Sequence, residues 1–309
     1  MFIRFFILSF VFYCSSVLAI DELSNYRPIL KSCFKKNTPW LQIREFESHG
    51  KILGLFVHPE NLSTSINQVS DFDCHESSVL ADDTRMGMLL KKSLSSPYPT
   101  FNDGLIQSSS TDGYFITVDL CPSENGEFEV GILDKIMQQS IKQKKPIPIG
   151  FAITGRWLKN NQLYFQYLTQ LEKSQFIKIS WINHTDHHFY QPKNSYDNNF
   201  MIKSPWPMKD EVLELEKKLI EKDISPSIFF RFPGLVSNES LMEKLKSLFL
   251  IPLGSNSWMA KKQIPKPGSI ILLHGNGNES HGIHAFEGWF DSQNEIINFL
   301  SLEKDLAIE

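Results

Sequence analysis

From Gly113 onwards the chain alternates short apolar segments with longer amphipathic ones, and this alternation limits the fold more than any other feature. The apolar segments, such as "YFITV" (114–118), have the length and composition of buried strands. The amphipathic segments, such as "VGILDKIMQQSIKQKK" (130–145), carry apolar residues at helical spacing. Strands that alternate with helices form a parallel sheet with right-handed crossovers.

The predicted strands define one barrel-sized domain. They cover residues 114–118, 148–154, 176–182, 227–232, 248–253 and 269–274. A last helix is predicted over "FDSQNEIINFLSLEKDL" (290–306). Continuous apolar runs are typical of parallel strands covered on both faces, so the expected fold class is α/β with an open or closed (β/α) barrel. We place this barrel at residues 111–305. Its start lies within the polar, turn-rich segment "QSSSTDG" (107–113).

The segment before the barrel, residues 20–110, has a mixed pattern. The stretch "KILGLFVHPENL" (51–62) predicts a strand that runs into a turn. The stretch "TRMGMLLKKSL" (84–94) predicts a short amphipathic helix. We therefore expect a small α/β N-terminal region, whose role the sequence does not indicate.

Composition excludes two classes of partner. The 309 residues are 41% hydrophobic and 21% charged, which is typical of a soluble globular protein. The formal net charge of −4 offers no basic surface for nucleic acid or for an anionic membrane. We therefore expect neither of these partners. The sequence leaves the oligomeric state open.

The first 19 residues have the features of a signal peptide: an early cation at Arg4, an apolar run over 5–13, and small residues up to Ala19. Cleavage after Ala19 would send the protein out of the cytoplasm, to the periplasm or the medium. An uncleaved anchor is the alternative, although the run is shorter than the roughly 20 residues of a spanning helix. No other segment is long and apolar enough, so the mature chain is expected to have no membrane span.

Three cysteines remain after signal removal, so at most one internal disulfide can form. Cys33 and Cys74 both precede the region with the candidate chemistry, and we expect these two to form the pair. Cys121 is then left over.

Polar residues follow directly after four of the predicted strands: Asp119, the pair Asn183-His184, Arg231 and His274. The carboxyl ends of parallel barrel strands lie on one rim, where such folds place their active sites. Each residue alone is equally well explained as a helix cap or a solvated loop residue. The four together predict a shared site.

A second histidine, His188, follows His184 by four residues in "NHTDHH" (183–188). On a helical turn this spacing directs both imidazoles to the same side. Two such imidazoles suit a tetrahedral zinc site. His187, three residues after His184, competes for the same role.

Five stretches resemble, in order and spacing, the motifs of the polysaccharide deacetylases, the NodB-homology carbohydrate esterases. They are "TVDLCPS" (117–123), "NHTDHH" (183–188), "RFPG" (231–234), "SNSW" (255–258) and "ILLH" (271–274). The resemblance covers roughly residues 110 to 300. It implies a distorted (β/α) barrel of the NodB-homology type, and metal-assisted hydrolysis of acetyl groups on N-acetylated or O-acetylated polysaccharide, such as peptidoglycan. Such an enzyme is a hydrolase of carbon–nitrogen bonds other than peptide bonds.

The resemblance also implies a role for each matching residue. Asp119 would be the general base, and Arg231 would orient it. His184 and His188 would bind a divalent metal, usually zinc, and His274 would be the general acid. Trp258 and Pro233 are the candidate substrate-binding residues, with packing in the core or at the barrel rim as the alternative role of Trp258.

Two positions depart from the family pattern. Leu120 stands where the family has a second Asp, a metal ligand, and Gly254 stands where an acidic residue usually precedes the Trp. The candidate substitute ligands are Glu124, Asp186 and His187. Two alternatives therefore stay open: a catalytically weakened barrel that only binds glycan, and a metal-independent hydrolase on the same fold.

Overall fold

The computed structural model describes residues 23–77, 82–94, 101–123, 128–293 and 295–308. The predicted signal peptide (1–19) and the candidate ligand Glu124 lie outside these residues. Within the described ranges, no helix has both the length and the apolar character needed to cross a bilayer.

The amino-terminal region is an antiparallel sheet of five strands in the order β4-β3-β2-β1-β5. The strands are β1 (Ser24–Lys35), β2 (Thr38–Ser48), β3 (Lys51–Val57), β4 (Thr64–Gln68) and β5 (Asp73–Glu76). Two-residue turns with positive φ connect the first three strands: Lys36 and Asn37 (51° and 64°), then His49 and Gly50 (49° and 72°). Turns of this kind match the twist of the strands that they join.

A helix and a disulfide complete this region. Helix α1 (Arg85–Ser93) is the helix predicted from the sequence, and its N-cap Thr84 accepts a hydrogen bond from the Gly87 N–H. Cys33 of β1 lies opposite Cys74 of β5, and the two form a disulfide. The predicted pairing is confirmed.

The barrel region contains a parallel sheet of seven strands in the order β10-β9-β8-β7-β6-β12-β11. The strands are β6 (Phe115–Leu120), β7 (Ile147–Ile153), β8 (Ile177–Asn183), β9 (Phe229–Phe230), β10 (Ile251–Pro252), β11 (Ser257–Trp258) and β12 (Ile270–His274). The outer strands β10 and β11 do not pair with each other in this order, so the sheet is a curled, open barrel. The expected α/β class and distorted barrel are confirmed.

Helices follow the strands and cover the sheet. They are α2 (Gly131–Gln143), α3 (Gly155–Asn160), α4 (Gln162–Lys173), α5 (Phe200–Lys203), α6 (Met208–Ile220), α7 (Glu239–Lys246), α8 (Ser280–Asp291) and α9 (Leu302–Asp305). One apolar cluster joins Ile116, Val118 and Leu120 of β6 to residues of α2 and α8, such as Ile136 and Phe286. Alternate residues of β6 therefore face the helices, and those between them face the concave side of the sheet.

The predicted helix over residues 290–306 is wrong. Helix α8 lies earlier, and α9 has only four residues. Between them the exposure alternates as in a strand: Ile296 is 57% exposed, whereas Ile297 and Phe299 are 5% and 3% exposed. Phe299 forms a parallel bridge with Tyr114 at the start of the barrel.

A buried ion pair joins the two regions. Arg44 of β2 donates through Nε and Nη2 to both carboxylate oxygens of Glu216 on α6, at 2.7 and 2.8 Å. Both side chains are at most 1% exposed. The Tyr26 hydroxyl of β1 donates to the same carboxylate at 2.9 Å. The amino-terminal sheet is therefore held against the barrel through α6.

Candidate active site

The strand ends bring the predicted rim residues together. Asp119 of β6 lies beside His274 of β12 in the parallel register. His184 follows β8 and Arg231 follows β9, and the Arg231 N–H donates to the Asn183 carbonyl at 2.9 Å. These side chains converge on the concave face of the sheet.

Arg231 holds Asp119 in place. Its Nη1 donates to Asp119 Oδ1 at 2.7 Å and to Thr117 Oγ1 at 2.8 Å. Its Nη2 donates to the Gly254 carbonyl at 3.2 Å. Arg231 is fully buried and Asp119 is 3% exposed. A charge this deep is stable only when it is paired and hydrogen-bonded, and here both conditions are met.

His184 presents one ring nitrogen to the site. Its Nδ1 lies 2.8 Å from the Arg231 carbonyl oxygen, which can only accept, so Nδ1 carries the proton of the neutral ring. Its Nε2 then offers a lone pair, 3.5 Å from Cys121 Sγ and 3.7 Å from Asp119 Oδ2. A backbone carbonyl that fixes the tautomer in this way is typical of metal-binding histidines.

His188 reaches the site from an irregular turn. The expected helical turn does not form, because Thr185 and His188 have positive φ values of 70° and 53°. The two imidazoles still approach each other, with ring centroids 5.0 Å apart. His188 Nε2 is buried and has no hydrogen-bond partner among the described residues. A buried polar atom of this kind calls for a partner such as an ion or a water molecule.

Cys121 is a residue of the site that was not predicted from the sequence. One ligand atom from each of Cys121, His184 and His188 lies within 4.8 Å of the others. A second group within the same limit contains Asp119, Cys121 and His274. The available signal was position: Cys121 follows Asp119 by two residues, and side chains two apart on a strand share a face.

The proposed substitute ligands lie elsewhere. Asp186 accepts hydrogen bonds from Lys218 Nζ at 2.6 and 2.7 Å. His187 Nδ1 lies 2.7 Å from Glu211 Oε1, and its ring stacks on Trp206 with centroids 4.0 Å apart. Neither belongs to the metal-capable groups found among the described residues. Both are held by α6 or by the loop before it.

His274 has an acidic partner that the sequence analysis also missed. Its Nδ1 lies 2.8 Å from Glu279 Oε2 as an ion pair, although the contact lacks the direction of a hydrogen bond. Trp258 Nε1 donates to the same oxygen at 2.8 Å. Glu279 ends the segment "GNGNE" (275–279) between β12 and α8.

Position 254, where the family usually has an acid, has no space for a side chain. A Cβ built on Gly254 would lie 2.4 Å from Asn102 Oδ1 and 2.7 Å from Ile106 Cγ2. The carboxylate beside His274 comes from Glu279.

The charges of the cluster shift its pKa values. Burial raises the pKa of the Cys121 thiol, but the charges of His188 and His184 outweigh it and hold that pKa well below its usual value. Burial lowers the pKa of His184, but the charges of Asp119 and Cys121 raise it overall. Burial also lowers the pKa of His274, but its contacts with Cys121 and Glu279 raise it well above its usual value. The cluster thus favours a thiolate at Cys121.

The two residues expected to bind substrate are both buried. Trp258 is 8% exposed, and its ring lies 5.8 Å from that of His274. Lys261 Nζ covers the Trp258 ring at 3.6 Å from its centroid. Pro233 begins a short 3-10 turn after Arg231. Contact of Trp258 and Pro233 with a sugar stays a prediction.

The donor set fits a divalent metal. A cysteine sulfur and two imidazole nitrogens are the ligand types that zinc prefers. The buried Nε2 of His188 has no hydrogen-bond partner among the described residues and is available as a ligand atom. Cys121, His184 and His188 are therefore residues that could hold such an ion.

No protein-family model matches the chain. It is similar to the structure of a family 4 carbohydrate esterase from Bacillus anthracis, at 20% identity and a TM-score of 0.47, over 71% of this chain and 89% of that one. It is similar to the chitin deacetylase of the fungal pathogen Colletotrichum lindemuthianum, at 12% identity and a TM-score of 0.43, over 65% of this chain and 90% of that one.

A third similar structure is a CE4 family pseudoenzyme from Bacillus anthracis, at 14% identity and a TM-score of 0.43, over 76% of this chain and 74% of that one. The esterase family named in these similarities is the one that the five sequence motifs resemble.

Proposed function

We propose that the protein is a metal-dependent deacetylase that hydrolyses acetyl groups on an acetylated polysaccharide. The observation that carries this proposal is the convergence of a carboxylate, a metal-capable group and an imidazole on one rim. Amide hydrolysis needs these three functions: a base for water, an electrophile for the carbonyl and an acid for the departing amine.

A divalent metal, proposed to be zinc, would be held at His184 and His188. When bound, such a metal polarises the acetyl carbonyl and acidifies a water molecule. The buried Nε2 of His188 and the Nε2 lone pair of His184 support these two residues as ligands.

Asp119 is proposed as the general base. Its Oδ1 is held by Arg231 at 2.7 Å, whereas Oδ2 faces His184 at 3.7 Å and is free to take a proton from water. Arg231 fixes the direction of the carboxylate. Asp119 thus removes the proton as water adds to the acetyl carbon.

His274 is proposed as the general acid. An amine leaves as a neutral molecule, so its nitrogen needs a proton as the carbon–nitrogen bond breaks. The raised pKa of His274 keeps that proton on the imidazole near neutral pH. Glu279 and Cys121 stabilise the charged ring, and the products are acetate and a free amine.

The cellular setting is also a proposal. The predicted signal peptide and the Cys33–Cys74 disulfide both suit an exported protein, because disulfides persist outside the reducing cytoplasm. The proposed substrate is therefore a glycan of the cell envelope, such as peptidoglycan, which an exported protein would meet.

The test is acetate release from N-acetylated glycan by the purified, zinc-loaded protein. We expect release by the wild type and at least a ~100-fold loss in Asp119→Asn, because general-base catalysis contributes about 10²–10⁴-fold. Glycan binding without acetate release would favour the rival function, a glycan-binding barrel.

A further inference from the structure

We propose that Cys121 is a metal ligand, and that its thiolate completes the site in place of the carboxylate missing at Leu120. The inference rests on the proposed function for the reaction that the metal serves, but binding can be tested without it. It makes the metal centre a sulfur-containing one with two imidazoles.

The direction of β6 supports this assignment. Leu120 is fully buried in the apolar cluster between the sheet and the helices, so its side chain points away from the site. Thr117 and Asp119 point to the concave face, where both contact Arg231. Cys121 is the next residue in that alternation, and its Sγ reaches His184.

The distance between the two donors also fits. Zinc–sulfur bonds of about 2.3 Å and zinc–nitrogen bonds of about 2.0–2.1 Å place two tetrahedral ligands about 3.5 Å apart. Cys121 Sγ and His184 Nε2 are 3.5 Å apart. A thiol–imidazole hydrogen bond has a similar length, so the distance alone does not separate the two arrangements.

The surroundings of His188 distinguish a shared metal ion from a thiol–imidazole hydrogen bond. A hydrogen bond between Cys121 and His184 satisfies those two groups and leaves His188 Nε2 buried without a partner among the described residues. A cation shared by the three side chains satisfies all of them at once. Leaving a buried polar atom unpaired is energetically unfavourable, which favours the shared cation.

Asp119 is the competing third ligand, and its contacts argue against it. Its Oδ1 is occupied by the buried guanidinium of Arg231, and its Oδ2 lies 3.7 Å from His184 Nε2. Asp119 lies outside the group of Cys121, His184 and His188, whose ligand atoms are within 4.8 Å of one another. Asp119 therefore stays free as the base.

A thiolate ligand affects which metal ions bind. Sulfur favours softer ions, so zinc and cobalt should bind more tightly than magnesium or manganese.

The experiment is a titration of the metal-free protein with cobalt(II), followed by absorption. We expect a near-ultraviolet sulfur-to-cobalt charge-transfer band in the wild type. Cys121→Ser should lose the band and bind cobalt at least ~10-fold more weakly, because even outer-shell changes cost about 10–100-fold in affinity. Cys121→Asp should bind without the band.

Cys33 and Cys74 are joined in a disulfide, so they cannot supply the band. His284→Ala is the matched control, because His284 is exposed on α8. It should keep both band and affinity. Unfolding midpoints of all variants without metal show whether any loss of binding reflects loss of fold.

Three results would overturn the proposal: no cobalt binding by the wild type, binding without the band, or an acetyl group on Cys121 detected by mass after reaction with substrate. The last would make Cys121 a nucleophile. The band without acetate release leaves the ligand assignment standing and removes only the proposed function.

Discussion

At the residue scale, Arg231 links two halves of the candidate site. Its guanidinium holds Asp119 at 2.7 Å, and its backbone carbonyl fixes the tautomer of His184 at 2.8 Å. The proposed base and one proposed metal ligand therefore depend on the same fully buried residue. Their relative position is set by β9 rather than by flexible side chains.

Glu279 is the acidic partner of His274 and contributes to the raised pKa of that imidazole. Burial raises the pKa of Glu279, but its contacts with His274 and Trp258 lower it overall. It therefore stays ionised near neutral pH and stabilises the charged imidazole at 2.8 Å. Its role is that of a positioning residue, because it acts through His274.

Glu279→Gln should shift the pH dependence of turnover. Removing the carboxylate takes away one cause of the raised pKa of His274, so the imidazole loses its proton at lower pH. A general acid is active only while protonated, so the alkaline limb of kcat/KM against pH should move to lower pH. The measurement is the pH profile of acetate release.

The control for this shift is Glu295→Gln, which removes an exposed carboxylate of the same type. It should leave the profile unchanged. An alkaline limb that stays in place in Glu279→Gln would show that Glu279 does not tune the acid.

Sequence reasoning found the residues that directly follow an apolar run, because a strand end fixes where such a side chain points. Asp119, His184, Arg231 and His274 are of this kind. Cys121 was considered only as a disulfide candidate, although it shares a strand face with Asp119. Glu279 could not be found, because its contact with His274 depends on how the turn folds back.

At the scale of elements, α6 holds the turn that carries two of the three proposed metal ligands, His184 and His188. Glu211 accepts hydrogen bonds from the His187 backbone N–H at 2.8 Å and contacts His187 Nδ1 at 2.7 Å. Lys218 binds Asp186 at 2.6 Å. Helix α6 is rich in charged residues, yet its Glu211 is only 2% exposed. This buried carboxylate positions the neighbouring turn.

Glu211→Ala should weaken metal binding without removing a ligand. Without Glu211, two donors of His187 lose their partner and the turn that positions His184 and His188 loosens. Changes outside the ligand shell cost about 10–100-fold in affinity, and we expect the lower part of that range. The measurement is zinc affinity by competition with a chelator.

Glu214→Ala is the matched control, because this carboxylate is 47% exposed on the same helix. Its zinc affinity should equal that of the wild type. Equal affinity in Glu211→Ala as well would mean that the turn holds its shape without α6.

Element prediction succeeded where one periodicity dominated. The core strands β6, β7 and β8 are continuous apolar runs and were found. The amino-terminal strands were mostly missed, because β1 mixes charges with Pro28 and pairs with β2 and β5 only through tertiary contacts. The two-residue strand β11 is too short to have a period.

At the scale of the molecule, the two regions share one buried ion pair and one apolar cluster. Leu55 and Val57 of the amino-terminal sheet belong to the same cluster as Met242 and Leu245 of the barrel. Arg44 of β2 and Glu216 of α6 pair between the amino-terminal sheet and this helix, where both are buried. The parallel sheet was predictable from alternation, but this junction was not, because its partners are 172 residues apart.

Arg44→Met should destabilise the whole protein. The change leaves the Glu216 carboxylate buried without its partner, which costs about 3–5 kcal/mol. The measurement is the free energy of unfolding in urea. Arg27→Met is the control: Arg27 pairs with Glu45 but is 64% exposed, so little change is expected. Equal stability of Arg44→Met and wild type would contradict a structural role for the pair.

The central claim is that the protein hydrolyses N-acetyl groups of a glycan. Measuring both products of that reaction in the same sample tests it most directly. The zinc-loaded protein is incubated with N-acetylated peptidoglycan or chitin fragments, and acetate and new free amines are counted together. We predict equal amounts of the two, lost in Asp119→Asn while glycan binding persists. Zinc-loaded wild-type protein that binds glycan but releases neither product would contradict the account.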